Sequence, residues 1–304
     1  MSHIADAYTT VQYVLDEVRE HGASATWWKS RFLHRIAGGL WFRRVEGNTG
    51  EYVMAKDWDN LLVLDACRFD LYRDVADPNC ESVRSRGAST PEWVAENFEG
   101  RSFPETVYVT ANPYVSTITE DEFHARYDVW EEGWDDEEGT VLPEVLAERS
   151  REIAEMHPDK RLIVHFMQPH QPFVGSDLPG SFWNVDESPW DALQHGTVDR
   201  SAVLEAYADN LRVVYPVARE LGLDLPGKSV LTADHGNMLG ERVWPFPVRD
   251  YGHRKSIYTP GNVRVPWDEL PFESRKTITA GDTMVESDVT ADVTERLADL
   301  GYVT

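Results

Sequence analysis

The sequence predicts an α/β fold: an α/β/α sandwich around a mostly parallel central sheet, with an N-terminal helical extension. Three observations carry it. Short apolar runs recur along the chain, stretches of helical periodicity separate them, and the runs end in acids, amides or histidines. Strand and helix in alternation build a parallel sheet covered on both faces. The carboxyl ends of its strands then gather along one edge, where such sheets place their chemistry.

The elements follow in order. Residues 5–20 read as an amphipathic helix with Val11, Val14, Leu15 and Val18 on one face. Residues 27–44, WWKSRFLHRIAGGLWFRR, carry Lys29, Arg31, Arg35, Arg43 and Arg44 and no acid, with three tryptophans interleaved. Two readings stand: a docking patch for a partner, an anionic lipid surface or an acidic substrate, or a helix pair lying on the main domain with its tryptophans inward. The second is the simpler. LLVLD (61–65) is a strand, and TPEWVAENF (90–98) starts a helix with Pro91 in its first turn. TVYVTAN (106–112) is a strand with a polar end. Residues 119–138 are densely acidic and read as a solvated surface excursion. Residues 141–157 are helical. RLIVHFMQPH (161–170) is a strand running into a proline-rich loop. Residues 175–198 read as irregular, 201–222 as a long helix, and KSVLTADHGN (228–237) as a strand with a polar tip. The expected division is an extension over 1–57 and a main domain over 58–304.

Composition narrows the function classes. The 304 residues are 41% apolar, enough for a sizeable core, and carry a net charge of −24. That field repels nucleic acid, so no nucleic-acid partner is expected. Lysine occurs only at 29, 56, 160, 228, 255 and 276, against 53 acids. The pattern looks like that of halophilic proteins, whose acidic surfaces keep them hydrated. Cys67 and Cys80 form no CxxC motif and no disulfide framework. No signal peptide and no membrane span is read, and a reduced, cytoplasmic protein is the simplest expectation.

Asp65, Asn112, His170 and the pair Asp234-His235 stand at four strand ends, and His253 follows in YGHRKS. Acids and histidines converging on one edge are ligands for a divalent metal.

Five ordered motifs, LLVLDACRFD (61–70), GASTPEW (87–93), VHFMQPHQPF (164–173), VLTADHGNMLGER (230–242) and YGHRKSIYTPGNVRVPW (251–267), resemble the alkaline phosphatase superfamily, nearest its sulfatase-like and phosphoglycerol-transferase-like branch. VTERLADLGYV (293–303) resembles the C-terminal helix of many sulfatase-like proteins. The resemblance spans about residues 58–303. It implies an alkaline-phosphatase-like catalytic domain and a metal-dependent hydrolase or transferase acting on phosphate esters through a hydroxyl. Sulfuric ester hydrolysis, or a non-catalytic sulfatase-like binding protein, is the alternative. Asp65, Asp234 and His235 match the family's metal ligands. Ser89 matches the nucleophile slot, two residues before Pro91, and would also ligate the metal; Thr90 is its rival. His170 and His253 match catalytic histidines that contact substrate. Asn112, Lys255 and Arg68 are candidates for the anion's oxygens, although Arg68 and Asp70 also suit bracing the turn after Asp65.

One divalent metal is implied: manganese, magnesium, zinc or calcium. A second is an open alternative, since Asp191 and His195 in DALQH fit a D-x-x-x-H element. The metal would lower the hydroxyl's pKa and aim it. The implied substrate is a small-molecule, glycan-linked or lipid-linked phosphate or sulfate ester. Sulfatases carry a C/S-x-P-x-R motif that is converted to formylglycine; here Trp93 stands in place of the arginine. They often carry two adjacent acids after the first strand; here Ala66 follows Asp65. The first departure favours phosphoryl over sulfuryl chemistry, and the second removes one ligand. Oligomeric state is left open.

Overall fold

The computed structural model describes residues 23–119, 121–174 and 188–281. The helices expected over 5–20 and 293–303 lie outside them, as do residues 175–187. The chain divides into two compact units, residues 1–47 and 48–304.

In the first unit, Ser24 caps helix α1 (Ala25–Phe32) by accepting from the Trp27 amide at 3.2 Å. The turns then widen to π-type bonding over Leu33–Glu46 and stop at Gly47, whose φ of 78° suits glycine. Leu33, Ala37 and Phe42 are buried, whereas Trp28 is half exposed, so not every tryptophan turns inward.

The second unit runs, after a short 3₁₀ turn, β1 (Asn60–Leu64), α2 (Phe69–Val75), β2 (Glu81–Arg84), α3 (Thr90–Asn97), β3 (Phe103–Thr110), α4 (Pro113–Ile118), β4 (Phe123–Asp128), α5 (Trp130–Gly133), β5 (Trp134–Asp135), β6 (Thr140–Val141), α6 (Pro143–Met156), β7 (Arg161–Phe166), α7 (Pro189–His195), α8 (Arg200–Asp224), β8 (Ser229–Thr232), β9 (Met238–Arg242), β10 (Arg249–Gly252), α9 (Pro260–Val263) and β11 (Arg264–Glu269). Seven strands form one sheet in the order β2-β11-β8-β1-β7-β3-β4. Only β11 runs against the rest.

The apolar run of β1 is buried at every position because helices cover both faces. Leu62 and Leu64 join Val164, Phe166 and the α8 residues Leu211 and Val214 on one side. Leu61, Val63 and Ile163 join Trp93, Val94 and Phe98 of α3 on the other. This is the mostly parallel, helix-flanked sheet expected.

Three stretches differ from expectation. Within the acidic excursion, Phe123 and Ala125 alternate inward and make β4 an edge strand parallel to β3, and Trp130 behind it is buried. Residues 189–195, read as irregular, form α7 behind a Ser188 cap. RVPW, to which the sequence pattern assigned no element, starts β11 despite Pro266. That proline's ladder partner is Ser82 on β2, and its carbonyl accepts from Thr232 Oγ1 at 2.8 Å.

Candidate metal centre and active site

Register places the site. Thr232, Val63, His165 and Thr110 lie in one row across β8, β1, β7 and β3. Two residues further on, Asp234 and Asp65 leave the adjacent strands β8 and β1, and Asn112 leaves β3 on the far side of β7. His165 stands one step below them, on the same face as Val63.

Asp65 Oδ1, Asp234 Oδ2 and His165 Nε2 are buried atoms without a hydrogen-bond partner. A ligand atom from each of these residues lies within 4.8 Å of the others. Buried polar atoms are normally satisfied, and three unpartnered ones in one cluster of side chains, two of them carboxylate oxygens, fit a hard or borderline divalent cation. Electrostatics agree. Burial, reinforced by the Asp234 charge, pushes Asp65 well above the usual carboxylate range. Burial also raises Asp234, but the adjoining His235 and His165 outweigh it and hold that group low. A cation between the two removes the repulsion.

Each of these side chains is oriented by its own strand end. Ala66, in the left-handed region at φ 58°, donates its amide to Asp234 Oδ1 at 2.9 Å, and its carbonyl accepts from the Tyr207 hydroxyl. Asn112 caps α4 through Oδ1 and donates Nδ2 to Asp65 Oδ2 at 2.5 Å. It therefore aligns a ligand. His235 Nδ1 donates to the Gly236 carbonyl at 2.8 Å and leaves Nε2 facing the acids. That nitrogen lies 3.4 Å from Asp234 Oδ2, 3.8 Å from Asp65 Oδ1 and 3.2 Å from Thr90 Oγ1.

Thr90 Oγ1 is also 3.4 Å from Asp65 Oδ2, so the hydroxyl beside Asp65 and His235 is that of Thr90. Ser89, at the N-cap of α3, makes no side-chain capping bond and has no bond to these ligands among the described residues. Pro91 fixes the first helical turn and points Thr90 inward. The turn before it packs closely: a Cβ on Gly87 would collide with Trp93. Trp93 itself is buried, edge-on to His165 at 5.7 Å.

His253 sits 4.5 Å from His235 and 5.2 Å from His170 between ring centroids. His170 Nδ1 donates to the Gln171 carbonyl at 2.6 Å and His253 Nδ1 to Asn237 Oδ1 at 2.8 Å, so Nε2 is the proton-accepting nitrogen of each. Burial lowers His170 to about 4 and His253 well below its usual value, and both are neutral at pH 7.

Glu92 is a buried acid with four donors. It accepts from the Ala88 amide at 3.0 Å and from the Ser256 amide, the Ser256 hydroxyl and the Tyr258 hydroxyl, each at 2.9 Å. It ties the turn before Thr90 to the loop after His253.

The remaining candidates lie differently. Arg68 forks onto Asp70 at 2.8 and 2.6 Å and reaches Glu241 at 2.9 Å and the Asn237 carbonyl at 2.6 Å, which braces the turn. Lys255 is exposed. Asp191 and His195 are exposed on α7, and the Asp191 carboxylate accepts from Ser188 Oγ at 2.6 Å. His165 was not singled out from the sequence. Its signal was a histidine inside an otherwise apolar parallel strand, two residues behind the tip row.

No family model and no curated protein matches the chain. Among solved structures, it is similar to the soluble domain of lipooligosaccharide phosphoethanolamine transferase A from Neisseria meningitidis, at TM-score 0.47 and 17% identity over 69% of this chain and 75% of that one. The integral membrane form of that transferase gives 0.48 and 17%, over 71% of this chain, which spans only 48% of that protein. The zinc complex of the C-terminal periplasmic domain of EcEptC from Escherichia coli gives 0.44 and 11%, over 73% and 76%. Among the described residues, no helix is long and apolar enough to cross a membrane.

Proposed function

We propose that the chain is a metal-dependent enzyme that transfers or hydrolyses phosphate esters through Thr90. The observation that carries this reading is the Thr90 hydroxyl set between Asp65 and His235, against the buried ligand atoms of Asp65, Asp234 and His165. Asp65, Asp234 and His235 would hold a divalent cation with Thr90, and His165 lies within reach of the same point. When bound, the cation supplies Lewis acidity that lowers the hydroxyl's pKa and offsets charge on the phosphoryl oxygens.

The chain's own residues do the rest. Thr90 Oγ1 bonds to phosphorus as the bond from phosphorus to the leaving oxygen breaks, and the proton that Thr90 gives up ends on that leaving oxygen. Pro91 and the α3 turn hold the oxygen in line, so little reorganisation precedes attack. His170 and His253, neutral with Nε2 as acceptor, suit taking the proton from the water or alcohol that next attacks the phosphothreonine. Water in that step makes the enzyme a hydrolase, and an acceptor alcohol makes it a transferase.

The test is bound-metal analysis with turnover of p-nitrophenyl phosphate, bis-p-nitrophenyl phosphate and p-nitrophenyl sulfate. Metal-dependent phosphoester turnover, lost in Thr90→Ala and kept in Ser89→Ala, supports the reading. Loss only in Ser89→Ala moves the nucleophile. Turnover of the sulfate ester alone, or no metal and no turnover at all, sinks it.

A further inference from the structure

One segment of the first unit carries a chemistry the rest of the chain lacks. Residues 25–46 hold Lys29, Arg31, Arg35, Arg43 and Arg44 against the single acid Glu46, in a chain whose net charge is −24. Arg31, His34, Arg35, Gly39, Leu40 and Arg44 line an open concavity of about 520 Å³. Large apolar side chains stand in water beside them: Trp28 is 50% exposed, Leu40 53% and Val45 61%. Arg35, Arg43 and Arg44 are themselves exposed.

We infer that this segment docks on an anionic lipid surface. Guanidinium groups and exposed aliphatic and indole side chains on one short helical stretch match the two layers of a bilayer interface. Phosphates would meet the arginines, and the acyl boundary would receive Trp28, Leu40 and Val45. The acidic surface of a second copy would satisfy the cations alone and leave the apolar groups wet. Free phosphate would fill the concavity and leave them wet as well. The opposed signs also matter: with the chain as a whole strongly negative, attraction to an anionic surface must come from this island, and it must weaken with salt. The inference is separate from the phosphoester reading, because binding is read without turnover.

The experiment is flotation of the full chain with phosphatidylglycerol vesicles and with phosphatidylcholine vesicles, at low and high salt. The expected result is binding to phosphatidylglycerol alone, falling as salt rises. The Arg35→Gln/Arg44→Gln double variant should lower the partition coefficient about 25-fold, at about fivefold per cation removed. A second double variant, Leu40→Ser/Val45→Ser, alters only exposed side chains and should lower it at unchanged charge, with circular dichroism confirming the fold of both. No binding to phosphatidylglycerol, equal binding to both lipids, or binding that neither double variant moves overturns the inference. So does self-association in light scattering that the Leu40→Ser/Val45→Ser variant abolishes while vesicle binding stays absent.

Discussion

The two ends of strand β1 hold buried acids in opposite circumstances. Asp59, at the start, is 1% exposed and fully partnered. Arg275 donates Nε to one of its oxygens at 2.7 Å and Nη2 to the other at 2.9 Å, and the Lys228 amide adds a bond at 2.8 Å. Burial would raise it, but those donors more than offset the penalty and hold it below the usual range. Asp65, at the finish, is equally buried and is held by Asn112 and Thr90 on one oxygen only. Burial, reinforced by the charge of another carboxylate, Asp234, pushes it up. One acid is satisfied by the fold. The other is held ready for something the fold does not contain. A buried acid therefore reports a site through its missing partner, and burial alone says little.

The strongest way to break this comparison is to neutralise each acid in turn. Asp65→Asn should abolish stoichiometric metal binding and lower kcat by about three orders of magnitude or more, as expected when one member of a concerted catalytic unit is lost. In chelator it should leave the fold intact. The pH profile gives the sign. In the metal-free protein Asp65 keeps its proton above about 4, where the unfolded carboxyl loses it. Stability should therefore fall as pH rises from about 4 toward the raised folded value. Asp65→Asn removes that slope. Urea midpoints between pH 4 and 8 in chelator read it directly, and identical profiles for wild type and variant would remove the distinction between the two strand ends.

A third buried acid sharpens it. Glu92 is as satisfied as Asp59 yet sits beside the site. Glu92→Gln keeps the shape but turns one acceptor into a donor facing other donors. It should lower kcat about tenfold to a hundredfold through misplacement of Thr90 and His253, while metal content stays stoichiometric. Loss of metal instead would make Glu92 part of the ligand shell rather than its scaffold.

Asp59→Asn is the structural counterpart. Arg275 stays partly exposed, so the ion pair is worth less than a wholly buried one. The loss should be about 2–3 kcal/mol in denaturant unfolding, with kcat near wild type. Asp59 stabilises the fold above about pH 4 and loses that role as pH falls through its depressed folded value, the reverse of Asp65.

Much of this was legible before any coordinates. The runs around Asp65, Asn112 and Asp234 announced strands because both their faces are apolar, and their polar tips stood out against that background. The order of strands across the sheet was not legible, since it is set by long-range pairing. Strand β4 hid because acids surround its two inward residues, and β11 because Pro266 argues against a strand in sequence. Which of the Ser89 and Thr90 hydroxyls lies beside Asp65 was equally hidden: it depends on which one the first turn of α3 swings inward. His165 was masked for a related reason. A histidine within an apolar strand looks like a packed one, and only the neighbouring carboxylates set it apart.

The smallest expected effect tests how the turn after Asp65 is held. Ala66 occupies the left-handed region, which costs a residue with a Cβ about 1 kcal/mol. Glycine removes that cost but gives the unfolded chain more freedom, worth about 0.4–1 kcal/mol in the other direction. Ala66→Gly should therefore stabilise by at most about 0.5 kcal/mol, a melting shift of about 1–2 °C. The Ala66 amide and carbonyl remain bound to Asp234 and Tyr207, so both carboxylates should keep their aim and kcat should stay within about twofold. If metal affinity instead drops tenfold or more, those two hydrogen bonds do not suffice. The restricted backbone of Ala66 would then be part of what holds Asp65 without a partner, and the difference between the two ends of β1 would begin in the turn rather than in the carboxylates.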